Sequence, residues 1–479
     1  MSSRYATLDA GQGLIADRPN PTLVPNCPRP QVSGAGRVPR RVALFPIVFF
    51  EAYLTLTVLL FAFGPWPWEV SNPVTLYGFL ILAQAALLAG YLTAARKHPR
   101  PAIITWKPSR WVLVSLLFNF AWLPYTYELR TNTFALGFNF GGMVNAMLRG
   151  FSNPAANYAE KTRNLSTLGP STPMTYAALM VYPLLWILVP VGVMYWSRLA
   201  LWTRIGLVFF IICDLLVWMA SGMNKGIADY ALLLPWLLIA RRPSVIANFN
   251  SRKLLTITVV VLVGMGALFM FFSMNIVGRS GGQGASQVDL PAGISLDTDH
   301  PMLKLLPPAQ QGPVAGLVSY VTQGYYALSL ALHEPFMFCY GVGNSYFLEG
   351  LTRKYVSSPI IDRTYPARIE TYGWNRYGRW HSLYVWFASD VSFYGTIAVM
   401  FLLGRLFAIV WLDVVVNKDP LAICLFALLI LMLYYTPANN QVLGFPGTAI
   451  PFWAFLPAWW ISRRPTRQST AEYRRASRD

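Results

Sequence analysis

Long apolar runs alternate with short polar segments along most of the chain, and the runs are too long to be strands. Taken in order they cover residues 42–64, 74–95, 111–125, 174–196, 207–220, 227–240, 254–274, 391–411, 421–435 and 448–461. The pattern predicts an all-α polytopic membrane protein with about ten transmembrane helices. The third run is expected to break at Pro124.

The polar segments divide the chain. Residues 1–41 are rich in Pro and Gly and read as a disordered cytoplasmic tail. Residues 42–275 form an N-terminal transmembrane bundle. Residues 276–390 form a large periplasmic loop, residues 391–462 the C-terminal transmembrane helices, and residues 463–479 a basic cytoplasmic tail. Within residues 128–173, a mixed polar and aromatic loop, the portion 134–147 is too short and too Gly-broken to span, and is expected at the membrane interface. In the large loop, residues 310–332 have apolar positions at near-helical spacing and a polar face, predicting an amphipathic helix on the membrane surface.

Composition agrees with this class. The 479 residues are 55% hydrophobic and 12% charged, against about 25% charged in soluble domains. The net charge of +18 does not point to nucleic acid, because no recognition motif accompanies it. The Lys and Arg clusters at 37–41, 96–110, 198–204, 241–253 and 463–478 all fall on one side when both termini share that side. By the positive-inside rule that side is cytoplasmic, giving a multi-pass membrane protein with both termini inside. No cleavable signal peptide is expected, since the first forty or so residues are polar. Cys27, Cys213, Cys339 and Cys424 have no metal or disulfide spacing. No inverted repeat of the transporter kind is visible.

This topology places three cationic helix ends on the outer face. The first is the turn holding Asn224 and Lys225, where a helix N-terminus offers backbone N–H groups to an anion. A lysine snorkelling from a span end explains the same position. The second is Arg279, in a Gly-rich stretch that also reads as a flexible loop start. The third is the segment from 376 to 381, where Arg376, Tyr377 and Arg379 precede His381. Arginine binds phosphate bidentately, aromatic rings stack on sugars, and a histidine can take a proton from a hydroxyl. Arg363, Arg368, Tyr365, Tyr372, Trp374 and Trp380 lie nearby and equally suit an interfacial belt. Asp390, nine residues beyond His381, lies on roughly the opposite helix face and reads as structural or as a remote member of the site. The run Asp297, Thr298, Asp299, His300 has no second ligand set and reads as a solvated loop.

The segment His381-Ser382-x-Tyr384, followed by Asp390-x-Ser392-x-x-Gly395, resembles the end of the large periplasmic loop in O-antigen ligases and Wzy-type O-antigen polymerases. There the corresponding pattern is His-Asn-x-x-Leu, then Glu-x-Gly-x-x-Gly. The turn from Ser221 to Gly226 is similar to their Ser/Gly-x-Arg-Gly turn, with Lys225 in place of arginine, and Arg279 stands near a second arginine of theirs. Ser382, Asp390 and Ser392 depart from the pattern. The resemblance implies a GT-C-type fold and a metal-independent glycosyltransferase without cofactors, in a bacterial inner membrane. It would polymerise undecaprenyl-diphosphate-linked oligosaccharide repeat units, with His381 as base and Lys225, Asn224, Arg279, Arg376, Arg379 and Tyr377 holding diphosphate and glycan. Its partners would be the lipid-linked substrate, membrane lipid and a chain-length regulator protein. The rivals are a ligase, which differs in acceptor, and a flippase for lipid-linked glycans. A metal-dependent transferase would want an acidic pair in the first outer loop, where only Glu69 is found.

Overall fold

The computed structural model describes residues 38–96, 107–133, 139–168, 172–247, 294–356 and 358–463. Among the described residues all regular structure is helical. The longer helices are α1 (Arg40–Phe63), α2 (Pro73–Ala95), α3 (Pro108–Thr131), α4 (Phe140–Ser152), α5 (Pro154–Leu168), α6 (Thr172–Met194) and α7 (Leu201–Ala220). They continue with α8 (Lys225–Arg241), α9 (Pro308–Ala331), α10 (Tyr346–Tyr355), α11 (Leu383–Leu412), α12 (Pro420–Tyr435) and α13 (Pro446–Ser462). Five of these helices, namely α1, α2, α6, α7 and α11, are long and apolar enough to cross a membrane, and α12 is a shorter apolar helix. The chain is therefore a multi-pass, all-α membrane protein. The predicted span 254–274 lies outside the described residues, as do the tails 1–37 and 464–479.

Local sequence explains where several helices start. Asn72 accepts a hydrogen bond from the Thr75 amide, with Pro73 at the first helical position of α2. Asp419 and Pro420 start α12 in the same manner, Asp419 accepting from the Leu421 amide at 2.9 Å. Ser345 caps α10. The turn between α7 and α8 requires a glycine: Gly222 has φ +65°, and a Cβ there would lie 2.4 Å from the Pro154 carbonyl oxygen.

Long-range contacts sort the helix ends into two groups. At one end, the Trp411 indole donates to the Val42 carbonyl, the Tyr91 hydroxyl to that of Ala43, and Lys418 Nζ to that of Arg241. Asp413 there pairs with Arg463 at 2.9 Å. At the other end, the Trp66 indole donates to the Ala315 carbonyl, and the 436–445 loop is sewn to residues 344–347 and to Leu383. Between the two ends α2 and α11 run in very close contact. A Cβ on Gly90 would sit 1.9 Å from the Phe401 carbonyl oxygen, and one on Gly404 2.0 Å from that of Leu87. Small residues are what allow such an approach in a membrane, where helices associate by packing.

Several elements differ from the sequence expectations. Helix α3 runs unbroken through Pro124 to Thr131. Helix α11 begins at Leu383, eight residues before the predicted span, and its backbone departs from helical geometry at Ser392, with φ 65° and ψ 172°. The 128–173 loop contains the α4–α5 hairpin, whose Gly150 packs on the Met219 backbone at the end of α7. The largest correction concerns α9. It forms where an amphipathic surface helix is expected, but residues 322–329 are buried without interruption. Tyr325 bonds Thr57 of α1 at 2.9 Å and stacks edge-on to Phe61. Thr322, Gln323 and Ser329 make hydrogen bonds inside the protein, so α9 is a packed helix with no free face along residues 322–329.

Candidate functional site

The loop-rich end of the bundle is held together by side-chain to backbone bonds. The Asn375 carboxamide accepts from the Tyr377 and Gly378 amides, an Asx turn that shapes the approach to His381. The Trp374 indole donates to the Trp380 carbonyl, and Gln323 of α9 accepts from the Trp380 amide. The Leu383 amide donates to the Thr436 carbonyl at 2.9 Å. Gly324 makes this join feasible, because a Cβ there would lie 2.2 Å from the Pro437 carbonyl oxygen. His381 is thus clasped between α9, the start of α11 and the end of α12.

His381 is completely buried. Its Nδ1 lies 3.1 Å from the Arg379 carbonyl oxygen. A carbonyl only accepts, so Nδ1 carries the proton and Nε2 holds the lone pair. That Nε2 is buried and has no hydrogen-bond partner among the described residues. The same is true of the Ser382 hydroxyl and the Tyr384 hydroxyl, so every polar side chain of the His-Ser-x-Tyr motif keeps an unsatisfied atom. Such atoms are rare in folded proteins. Burial, with a smaller contribution from the Arg376 charge, lowers the His381 pKa to about 3, against the opposing Arg379 carbonyl bond. At neutral pH the ring is therefore a neutral acceptor.

The predicted cations have carboxylate partners that the sequence reading missed. Lys225, at the first turn of α8, pairs with Asp229 at 2.6 Å. Asp229 also accepts from the Tyr435 hydroxyl at 2.9 Å. Because Tyr435 precedes Thr436, Lys225 and His381 are tied to the same terminus of α12, though not to each other. Asn224 is the residue before α8 and makes no capping bond with its side chain. Arg279 lies outside the described residues. Arg376 stacks over Tyr377 at 5.0 Å, with its Nε 3.7 Å from Glu370. Tyr377 is 61% exposed, and its hydroxyl accepts from Arg353 at 2.5 Å. Arg379 is half-buried, and its backbone supplies both the carbonyl that orients His381 and an amide bonded to Asn375. Arg368 pairs with Glu334 at 3.1 Å.

Asp390 is structural. It accepts from the Gly341 and Gly343 amides at 2.8 and 3.2 Å and from the Asn344 carboxamide at 2.9 Å, closing the turn before α10. Asp297 and Asp299 are exposed, and Asp299 pairs with Lys304. Among the described residues no group of three His, Cys, Asp or Glu side chains converges as metal ligands would.

Two parts of the site were not identified from sequence. One is the loop after α12. Asn439 accepts from the Trp386 indole at 3.1 Å, and Asn440 donates to the Asn344 carbonyl at 2.5 Å. Three consecutive carboxamides between two apolar runs were the available signal. The other is Glu349 on α10, 2% exposed, with neither carboxylate oxygen hydrogen-bonded among the described residues. Burial pushes its carboxyl up to about 7, although Arg376 and Arg353 pull the other way. Nothing local in the sequence marks it. Compared with family models, curated proteins and solved structures, the chain matches none of them.

Proposed function

We propose that this protein is a membrane glycosyltransferase that polymerises undecaprenyl-diphosphate-linked oligosaccharide repeat units. The reading includes a GT-C-type architecture, an inner-membrane location with cytoplasmic termini, and a site on the periplasmic face. The observation that carries it is the His381 imidazole: neutral, fixed in one tautomer by a backbone carbonyl, with a buried lone pair that has no hydrogen-bond partner among the described residues. An acceptor hydroxyl gives its proton to Nε2 while its oxygen forms the new bond to the donor sugar's anomeric carbon. The bond from that carbon to the diphosphate breaks, and its electron pair leaves with the polyprenyl diphosphate. Cations then stabilise the leaving group, so no acid is required. Lys225 reaches that role only by exchanging Asp229 for phosphate oxygens.

The test is purified protein in detergent with labelled lipid-linked repeats as sole substrate. Longer lipid-linked chains are expected, and their loss in His381→Ala without loss of protein accumulation. Strict need for a different acceptor identifies a ligase instead. The complete burial of His381 favours a second reading, in which the histidine is a packing residue of a lipid-linked glycan carrier. Full polymer from the His381→Ala variant would remove the histidine as the base, whereas a wild-type protein that extends nothing would support the carrier.

A further inference from the structure

Glu349 and Arg376 present an unusual combination. Both Glu349 oxygens, and Nε and Nη1 of Arg376, are buried without hydrogen-bond partners among the described residues. They do not bond each other, although each acts electrostatically on the surroundings of the other. Arg376 is held where it is by its stack on Tyr377 and the 3.7 Å approach to Glu370. Its carbonyl accepts from the Tyr346 hydroxyl at 2.5 Å, and Tyr346 packs on Trp386 at 4.2 Å. Trp386 in turn meets the His381 ring at 6.1 Å. Glu349, three residues after Tyr346 on α10, shares the helix face of that tyrosine. Tyr346 and Trp386 thus lie between Arg376 and the His381 ring, with Glu349 on the Tyr346 side.

The charge balance identifies what fits. A diphosphate would bring more negative charge to Glu349 and Glu370, so it is poorly matched. A neutral ring bearing neighbouring hydroxyls is well matched: its O–H groups donate to Glu349 and its oxygens accept from Arg376. Tyr377, exposed beside them, offers a flat face for the ring.

Resting on the glycosyltransferase reading, we infer that Glu349 and Arg376 form the subsite for the acceptor sugar and hold its hydroxyls for His381. This moves Arg376 from the diphosphate to the sugar. A hydroxyl bonded to a charged partner is worth roughly tenfold or more in affinity, and replacing the charge by a neutral amide costs about fivefold.

The test uses the purified full-length protein in detergent, titrated with methyl glycosides of glucose, galactose, mannose and N-acetylglucosamine and, separately, inorganic pyrophosphate. Tryptophan fluorescence reports binding. At least one glycoside is expected to bind the wild type. Glu349→Ala should weaken it about tenfold and Glu349→Gln about fivefold, with pyrophosphate binding not weakened by either. If Glu349→Ala does not accumulate, Glu349→Gln alone decides. No binding by any glycoside, or equal binding by wild type and Glu349→Gln, overturns the inference. Chain extension from labelled lipid-linked repeats is scored alongside. Wild-type extension with unaltered glycoside affinity in the variants defeats the subsite and leaves the enzyme reading standing. Glu349-dependent glycoside binding by a protein that extends nothing defeats the enzyme reading and leaves a sugar site.

Discussion

Replacing Glu349 by glutamine should stabilise the protein, and only on the alkaline side. The Glu349 carboxyl is raised from its ordinary 4.5 to about 7, chiefly by burial. At 1.36 kcal/mol per pKa unit this gap corresponds to at most about 3 kcal/mol. The direction follows from proton counting. Between pH 4.5 and 7 the folded chain keeps the proton and the unfolded chain has released it. Stability therefore falls as pH rises through that window, and the full penalty is present above pH 7. Glutamine fills nearly the same volume and does not ionise, so the variant loses this pH dependence. Thermal unfolding of the solubilised protein, followed by tryptophan fluorescence, checks it. At pH 5 below the upper limit of the window, variant and wild type should melt within about one degree of each other. At pH 8 the variant should melt a few degrees higher, in keeping with ~3 kcal/mol or less in a chain of this size. A variant that melts lower at pH 8, or one whose advantage is equal at both pH values, would refute the idea that an unpaired ionised carboxylate sits at this position.

Other consequences are simpler to check. Since burial lowers the His381 pKa to about 3, it remains in its base form across pH 5–8, and chain extension should show no acidic limb from this group in that range; a wild-type limb centred near 6.5 would contradict the buried placement. Gly404→Leu should push α2 from α11, because even a Cβ falls 2.0 Å from the Leu87 carbonyl oxygen; overpacking of this kind costs about 1–3 kcal/mol or more, read as a lower melting temperature and reduced accumulation. Asp390→Ala should loosen the turn before α10 by removing acceptors for two amides and a carboxamide, and is expected to increase proteolytic cutting near residues 341–344; an unchanged digestion pattern would count against that role.

Legibility from sequence was uneven in a physically understandable way. Apolar length identified α1, α2, α6, α7 and α11 because hydrocarbon imposes that length directly. The start of α11 was placed eight residues late because Ser389 and Asp390 interrupt the apolar run, and the helicity of the turns before them is decided by packing. The pairing of Lys225 with Asp229 was readable, since a spacing of four on a helix brings such charges together. The partners of Arg368 and Arg376, Glu334 and Glu370, come from folding of the loop rather than from helix spacing.

By itself the sequence determined the solvent of this protein: apolar stretches this long, with basic residues clustered between them, lose too much free energy anywhere but in a membrane, and backbone polarity then demands helices. It also supplied the His-Ser-x-Tyr segment as a candidate for chemistry. Only the tertiary structure decided which polar atoms lose contact with water. Burial of α9, the Thr436 carbonyl and the Arg379 carbonyl together set the state of His381, and the packing of α10 leaves Glu349 unpaired. Desolvation depends on neighbours distant in the chain, and no local pattern of residues records them.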